Sequence, residues 1–368
     1  MTNHHLRRIA ALSFAVMLVA AACGGGATPS PSASAPASTA PQSVAPSASG
    51  STAPSAAAGD LNIVFIPKAI NNPYFDAAAT GAQKAATELG GQFKQIGSQN
   101  ATPAEQIPFI QDATTQGYKA IVVSATGADE VAPALKAAKD AGIKVVGYDS
   151  SPAEGAYDVF VNQTDFSLIG GSMAQWACDL APSCTGEIAI LSATATATNQ
   201  NAWIADFNKA LTTDPKFANL KLVDTVYGDD DTTKSANVAN GLLQTHPNLK
   251  VIVAPTTVGI LAAAQVVSSA KKQDSVKVTG LGLPNDMKTF VKDGTSPEFG
   301  LWNVPALGEL AYAVAAKLIS GEIKGTEGET FTVKGFNDDK PYTIGKDSVV
   351  ILGPPFKFDS TNIDTFNF

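Results

Sequence analysis

Residues 65–86 read FIPKAINNPYFDAAATGAQKAA. Phe65 and Ile66 close an apolar run that begins at Leu61, and from Ala77 onward small apolar residues recur at helical spacing. Between the two stand Lys68, Asn71, Asn72, Pro73, Tyr74 and Phe75. A β-branched apolar run followed by a helix is one βα unit, and the crowded polar and aromatic residues fall on the loop at the carboxyl end of its strand. That is where open parallel sheets carry their variable chemistry.

The same alternation runs outward through the chain. "LNIVFI" (61–66) precedes a helix over 73–89, and "GGQFKQIG" (90–97) precedes one near 104–116. "AIVVSA" (120–125) and "KVVGYDS" (144–150) flank the helical "ADEVAPALKAAKDAG" (128–142). After "VFVNQTDF" (159–166) a second series begins: a helix over 167–178, "EIAILSA", a helix over 201–212, "LKLVDTVYG", a helix to 244, "KVIVAP", a helix to 270, and "KVTGLG". Continuous apolar strands bounded by helices read as parallel strands buried on both faces, so the chain is α/β with two Rossmann-like lobes. The polar residues gather at strand ends: Lys68 and Asn72, Asp149, Asn199 and Gln200, Thr256 and Thr257, and Asn303 after "FGLW". Two sheets facing each other across a hinge bring these sets to one cleft.

The N-terminus places this folded part. Residues 1–26 read MTNHHLRRIAALSFAVMLVAAACGGG, with Arg7 and Arg8 before an apolar stretch too short for a comfortable membrane span. Residues 1–22 read as a secretory signal. Small residues leading directly into Cys23 resemble the bacterial lipobox, which implies a diacylglycerol on Cys23. From 24 to 59 the composition falls to Ala, Ser, Pro, Thr and Gly, which cannot bury enough apolar surface to order itself, so 23–60 read as a lipidated cysteine and a disordered tether. The protein is expected outside the cytoplasm, anchored to the cell membrane through lipid.

Net charge is −8 with both signs interspersed and no basic stripe, which argues against nucleic acid. Cys178 and Cys184 in "CDLAPSC" read as a local disulfide in an oxidising compartment, the alternative being two separate thiols. Of three histidines, His4 and His5 lie in the signal and His246 ends a helix, so no Ser-His or Cys-His arrangement can form in the cleft. A phosphate loop and clustered metal ligands are lacking, and the strand ends offer mostly amides around one aspartate instead of the paired carboxylates of a glycosidase. Neither enzyme activity, cofactor nor metal is expected; a carbohydrate-active enzyme is the remote alternative. "YGDDDTTKS" (227–235) lacks the glutamate of a calcium loop and reads as a solvated, helix-capping acidic turn. Trp203 reads as core.

From Leu61 to Phe368 the pattern resembles the type I periplasmic binding proteins, the solute receptors of sugar ABC importers. "NNPYFDAAATGAQKAATELG", "AGIKVVGYDS", "VNQTDFSLIGG", "TATNQNAW", "TGLGLPNDMKTFVKDGT" and "FGLWNVPALGELA" carry the resemblance, and "FIPK", "NQNAW", "PNDM" and "FGLWN" are similar to the branch of autoinducer 2 and rhamnose receptors. The resemblance implies three crossings between lobes, with one lobe at 61–162 plus 304–332 and the other at 163–303 plus 333–368. It implies a cation at Lys68, a hydroxyl-accepting aspartate at Asp149, and Asn72, Tyr74 and Phe75 against the sugar. Asn199 and Gln200 stand where autoinducer 2 receptors carry Asp-Gln, Pro255 and Thr257 match Pro-x-Ala, and Trp302 and Asn303 are implied contacts at the last hinge strand. Asn for Asp at 199 puts autoinducer 2 in doubt, and Gly282, where many pentose and hexose receptors carry a second aspartate, argues against ribose, galactose or xylose. Rhamnose or a related deoxysugar is the favoured ligand, with autoinducer 2 as the alternative. The implied partners are an ABC permease and its ATPase, or a sensor kinase in a signalling role, and the receptor itself is expected to be a monomer. Asp149→Ala is expected to abolish binding while leaving the unfolding temperature within a few degrees.

Overall fold

The computed structural model describes residues 61–368; the signal, Cys23 and the tether lie outside the described residues. The first series comprises β1 (Asn62–Ile66), α1 (Pro73–Leu89), β2 (Gln92–Gln95), α2 (Pro103–Thr115), β3 (Ala120–Val123), α3 (Ala128–Asp140), β4 (Lys144–Tyr148) and β5 (Val159–Asn162). The second comprises α4 (Phe166–Leu180), β6 (Gly186–Ser192), α5 (Thr198–Thr213), β7 (Leu220–Tyr227), α6 (Thr232–Thr245), β8 (Leu249–Ala254), α7 (Thr257–Ser269), β9 (Lys277–Gly280), α8 (Pro284–Lys292) and β10 (Glu298–Leu301). The chain then runs through α9 (Val304–Ser320), the short β11 (Thr330–Phe331) and β12 (Tyr342–Thr343), β13 (Val349–Ile351) and β14 (Phe356–Asp359).

Two parallel sheets result. The first has the order β13-β5-β4-β3-β1-β2, the second β7-β6-β8-β9, and β10 with β14 forms an antiparallel pair bridged to the second sheet through Leu281 and Gly300. In β1 every residue from Ile63 to Ile66 is buried, as a central parallel strand covered on both faces requires. The chain passes between sheets after β5, after β10 and after β13. The last passage corrects the expected division of 333–368. The apolar Val349–Ile351 segment adds to the first sheet in register with Phe160 to Asn162, and only β14 joins the second.

Local signals start and stop the helices that position the site. Asn72 caps α1, its side chain accepting from the Tyr74 amide, Pro73 stands at N1, and Gly90 ends the helix in the left-handed region. Helix α9 returns to the first sheet and lies directly on α1. At Gly81 and Gly308 a Cβ would overlap a backbone carbonyl oxygen of the facing helix, so only glycine permits so close an approach. A disulfide joins Cys178, in the last turn of α4, to Cys184 beyond it; closing so short a loop stabilises by about 2 kcal/mol.

Candidate functional site

The carboxyl ends of the two sheets face each other across a cavity. From the first sheet it is lined by Lys68, Asn72, Tyr74, Phe75 and Asp149; from the second by Asn199, Gln200, Pro255 and Thr257, with Trp302 at the second passage between sheets. All ten were expected there. Asn303 was expected too, and the structure turns it away: it is exposed, and its side chain accepts from the Ala306 amide as the N-cap of α9. The sequence Asn-Val-Pro is itself a capping signature, with proline in the first turn, and that role consumes the side chain.

Asp149 is the hub of the first-sheet wall. It follows β4 in the left-handed conformation, φ 60°, which aspartate tolerates better than most residues. Its Oδ1 accepts from the Tyr74 hydroxyl at 3.1 Å and the Asn199 amide at 3.2 Å; its Oδ2 accepts from the Ser124 hydroxyl at 2.6 Å and pairs with Lys68 Nζ at 3.5 Å. Lys68 is 6% exposed and Asp149 4%, so the ion pair is buried and each charge depends on the other. Burial, and then the charge of Asp149, push the Tyr74 phenol well up, which keeps it a proton donor; its oxygen also accepts from Trp302 Nε1 at 3.0 Å.

Asn199 joins the walls. Its Oδ1 accepts from Lys68 Nζ at 3.2 Å and from the Gln200 amide, while its Nδ2 donates to Asp149, so one side chain on α5 bonds both members of the opposite ion pair. Beside it Ser150 and Thr198 hydroxyls meet at 2.9 Å. These bonds run between sheets, so the conformation is closed. Gln200 Oε1 accepts from Ser192 and the Ala193 amide, leaving its Nε2 donors uncommitted among the described residues.

Besides the apolar Leu281 and Leu301, two lining residues escaped the sequence reading. Trp203, expected as core, stands one turn after Asn199 on the same face of α5 and forms part of the cavity wall. That i, i+4 spacing from Asn199 was the available signal. Asp230, expected in a solvated capping turn, also lines the cavity. The capping role belongs to its neighbour Asp231, whose side chain accepts from the Lys234 amide at the start of α6. Asp229 and Asp230 are both left-handed, φ 55° and 51°, and this turn carries Asp230 over to Thr256, whose hydroxyl it accepts. Burial raises the Asp230 pKa, with the Thr256 bond and then Lys68 acting against it. His246 contacts Asp224 and does not line the cavity, and no group of three or more metal-ligating side chains occurs among the described residues.

A family model described as periplasmic binding protein domain matches residues 63–323. The ribose import binding protein RbsB of Salmonella typhimurium is 29% identical over 277 residues, spanning 74% of this chain and 90% of RbsB. An ABC transporter solute binding protein from Clostridium phytofermentas with bound L-rhamnose is 36% identical with a TM-score of 0.79, covering 82% of this chain and 97% of that one. LsrB from Clostridium saccharobutylicum in complex with AI-2 is 26% identical with a TM-score of 0.77, covering 83% of this chain and 99% of LsrB.

Proposed function

This chain belongs to the periplasmic binding protein domain family, and on that premise we propose that it captures L-rhamnose or a related neutral deoxysugar for an ABC permease. The cavity built around the buried Lys68–Asp149 pair is the observation that carries this reading. Its chemistry fits an uncharged polyol. Lys68 and Asp149 cancel, Asp230 adds a negative charge, and the remaining lining groups are amides, hydroxyls, aromatic faces and the apolar Pro255, Leu281 and Leu301. A sugar offers both hydroxyls for the amides and a C–H face for Tyr74, Phe75 and Trp302. The rhamnose-bound protein of similar build supports the deoxysugar, and Gly282 in place of the second aspartate speaks against the ligand of the ribose relative.

Capture works by closure. Ligand enters when the lobes part about the three connecting segments, and contacts made by both lobes exist only when they are together, so binding shifts the population to the closed form. Asn199 makes such contacts already without ligand, which lowers the free-energy cost of closing and holds Lys68 and Asp149 in place. We take the lobes to move as 61–162, 304–332 and β13 on one side, and 163–303 with β14 on the other. The closed surface then docks on the permease, whose ATPase supplies the energy.

A thermal-shift panel tests the ligand. L-rhamnose at a hundred times its dissociation constant adds about 2.7 kcal/mol and raises the unfolding temperature; D-ribose, D-galactose and D-xylose do not. A shift with autoinducer 2 alone would replace this reading by the second one, which the AI-2-bound relative supports and Asn199 opposes. Membrane attachment through a lipidated Cys23 is part of the proposal. In cells, Cys23→Ser moves the protein from the membrane fraction to the soluble fraction or medium, and its retention with membranes would sink the anchor.

A further inference from the structure

The carboxylate that the family resemblance assigns to sugar hydroxyls, Asp149, has both oxygens committed to protein groups in the closed form. Among the described residues, Asn72 Nδ2 is uncommitted on the first wall, and further uncommitted groups lie on the other wall. Asp230 Oδ1 accepts from Thr256, and Oδ2 has no hydrogen bond to any described residue. Trp203 is 2% exposed, lines the cavity, and its Nε1–H has no hydrogen-bond partner among the described residues. Trp302 in the same wall differs, since its Nε1 already donates to Tyr74. A buried indole N–H left without an acceptor is costly and rare in folded proteins, and in a binding cavity a ligand oxygen is the natural acceptor.

Building on the sugar-receptor reading above, we propose that Asp230 and Trp203 are specificity-determining ligand contacts of the second lobe. Asp230 Oδ2 accepts from a sugar hydroxyl, and Trp203 Nε1 donates to a sugar oxygen. The pair demands a donor and an acceptor on the ligand side that reaches β7, α5 and α7, which a polyol supplies and an apolar or purely accepting ligand does not. The same carboxylate repels sugar acids and sugar phosphates, because it leaves the cavity with one more negative charge than positive among Lys68, Asp149 and Asp230. The left-handed turn at 229–230 then has a function: it turns a carboxylate inward from a run of three aspartates whose other members pair with Lys234 and cap α6.

The test is titration calorimetry of L-rhamnose, D-ribose, D-arabinose and autoinducer 2 into the wild-type protein, Asp230→Asn and Trp203→Phe, with indole N–H spectra of the wild type. Expected is at least tenfold weaker binding for Asp230→Asn and fivefold for Trp203→Phe, of whichever ligand the wild type takes. The unfolding temperature of ligand-free Asp230→Asn does not fall. In the wild type, the Trp203 indole resonance, identified by comparison with Trp203→Phe or, where that variant folds poorly, with Trp176→Phe and Trp302→Phe, shifts on saturation. Wild-type binding with both variants within twofold and an unmoved Trp203 resonance overturns this proposal and leaves the receptor reading intact. Binding of none of the four ligands overturns both.

Discussion

Asp149→Asn lowers sugar affinity on the order of a hundredfold or more, measured by calorimetry with the ligand that the thermal panel identifies; the loss follows from truncating a buried charge pair at a binding site. The variant keeps the size of the side chain and its tolerance of the left-handed backbone at φ 60°, so the change is one of charge and hydrogen-bond polarity. Three donors and a cation converge on this carboxylate. An amide has one acceptor oxygen, so at least one of Tyr74, Ser124 and Asn199 then faces an NH₂ group, and Lys68 is left buried without its counter-charge. Asp149→Ala removes all four interactions. Breaking a buried pair from one side costs about 3–5 kcal/mol, so the alanine variant unfolds several degrees lower even without ligand. That is a larger change than the few degrees expected when Asp149 is read as facing only the cleft, because it is buried with Lys68. Binding by Asp149→Asn within threefold of wild type would remove Asp149 from the site.

The misjudged cost has the same origin as the missed residues. Periodicity in the sequence located the strands and helices, because buried parallel strands such as β1 and β8 are short, mostly apolar and β-branched runs bounded by helical patterns. The positions of Lys68 and Asp149 at the ends of β1 and β4 followed from that pattern alone. What surrounds a side chain at a strand end does not follow from it. Ser124 and Tyr74 reach Asp149 from β3 and α1, and their meeting depends on sheet order and on a left-handed residue, neither of which leaves a periodic trace. Asp230 was hidden in a run of three identical residues with three different environments. Val349–Ile351 was too short a strand to declare which sheet it would join, and its placement is decided by register with β5. Asn303 was legible as a helix cap, yet its adjacency to Trp302 drew it into the site.

Lys68→Met carries the second large effect. The substitution keeps an unbranched chain of similar reach through the 6%-exposed position, so packing is largely preserved while the only cation lining the cavity among the described residues is lost. Asp149 keeps its three donors but loses its counter-charge, and Asp230 loses an interaction that opposes the upward effect of burial on its pKa. Sugar binding at pH 7.5 is expected to fall at least a hundredfold, because Asn199 Oδ1 loses the donor through which α5 is tied to β1 and the lobes meet across two carboxylates. The pH dependence has a definite sign. An acid whose folded pKa lies above its unfolded value takes up a proton on folding between the two values, so it destabilises at high pH; the penalty shrinks once pH falls below the folded value and is gone below the unfolded one. Asp230 is already such a group in the wild type, and removing Lys68 enlarges the effect. The unfolding temperature of Lys68→Met relative to wild type is therefore expected to recover as pH is lowered from 7.5 into the range where the raised Asp230 carboxyl takes up its proton, a comparison that cancels the titration of carboxylates remote from the cavity. A deficit independent of pH would mean that Lys68 contributes through packing of its stem, and the electrostatic account of the cavity would fail.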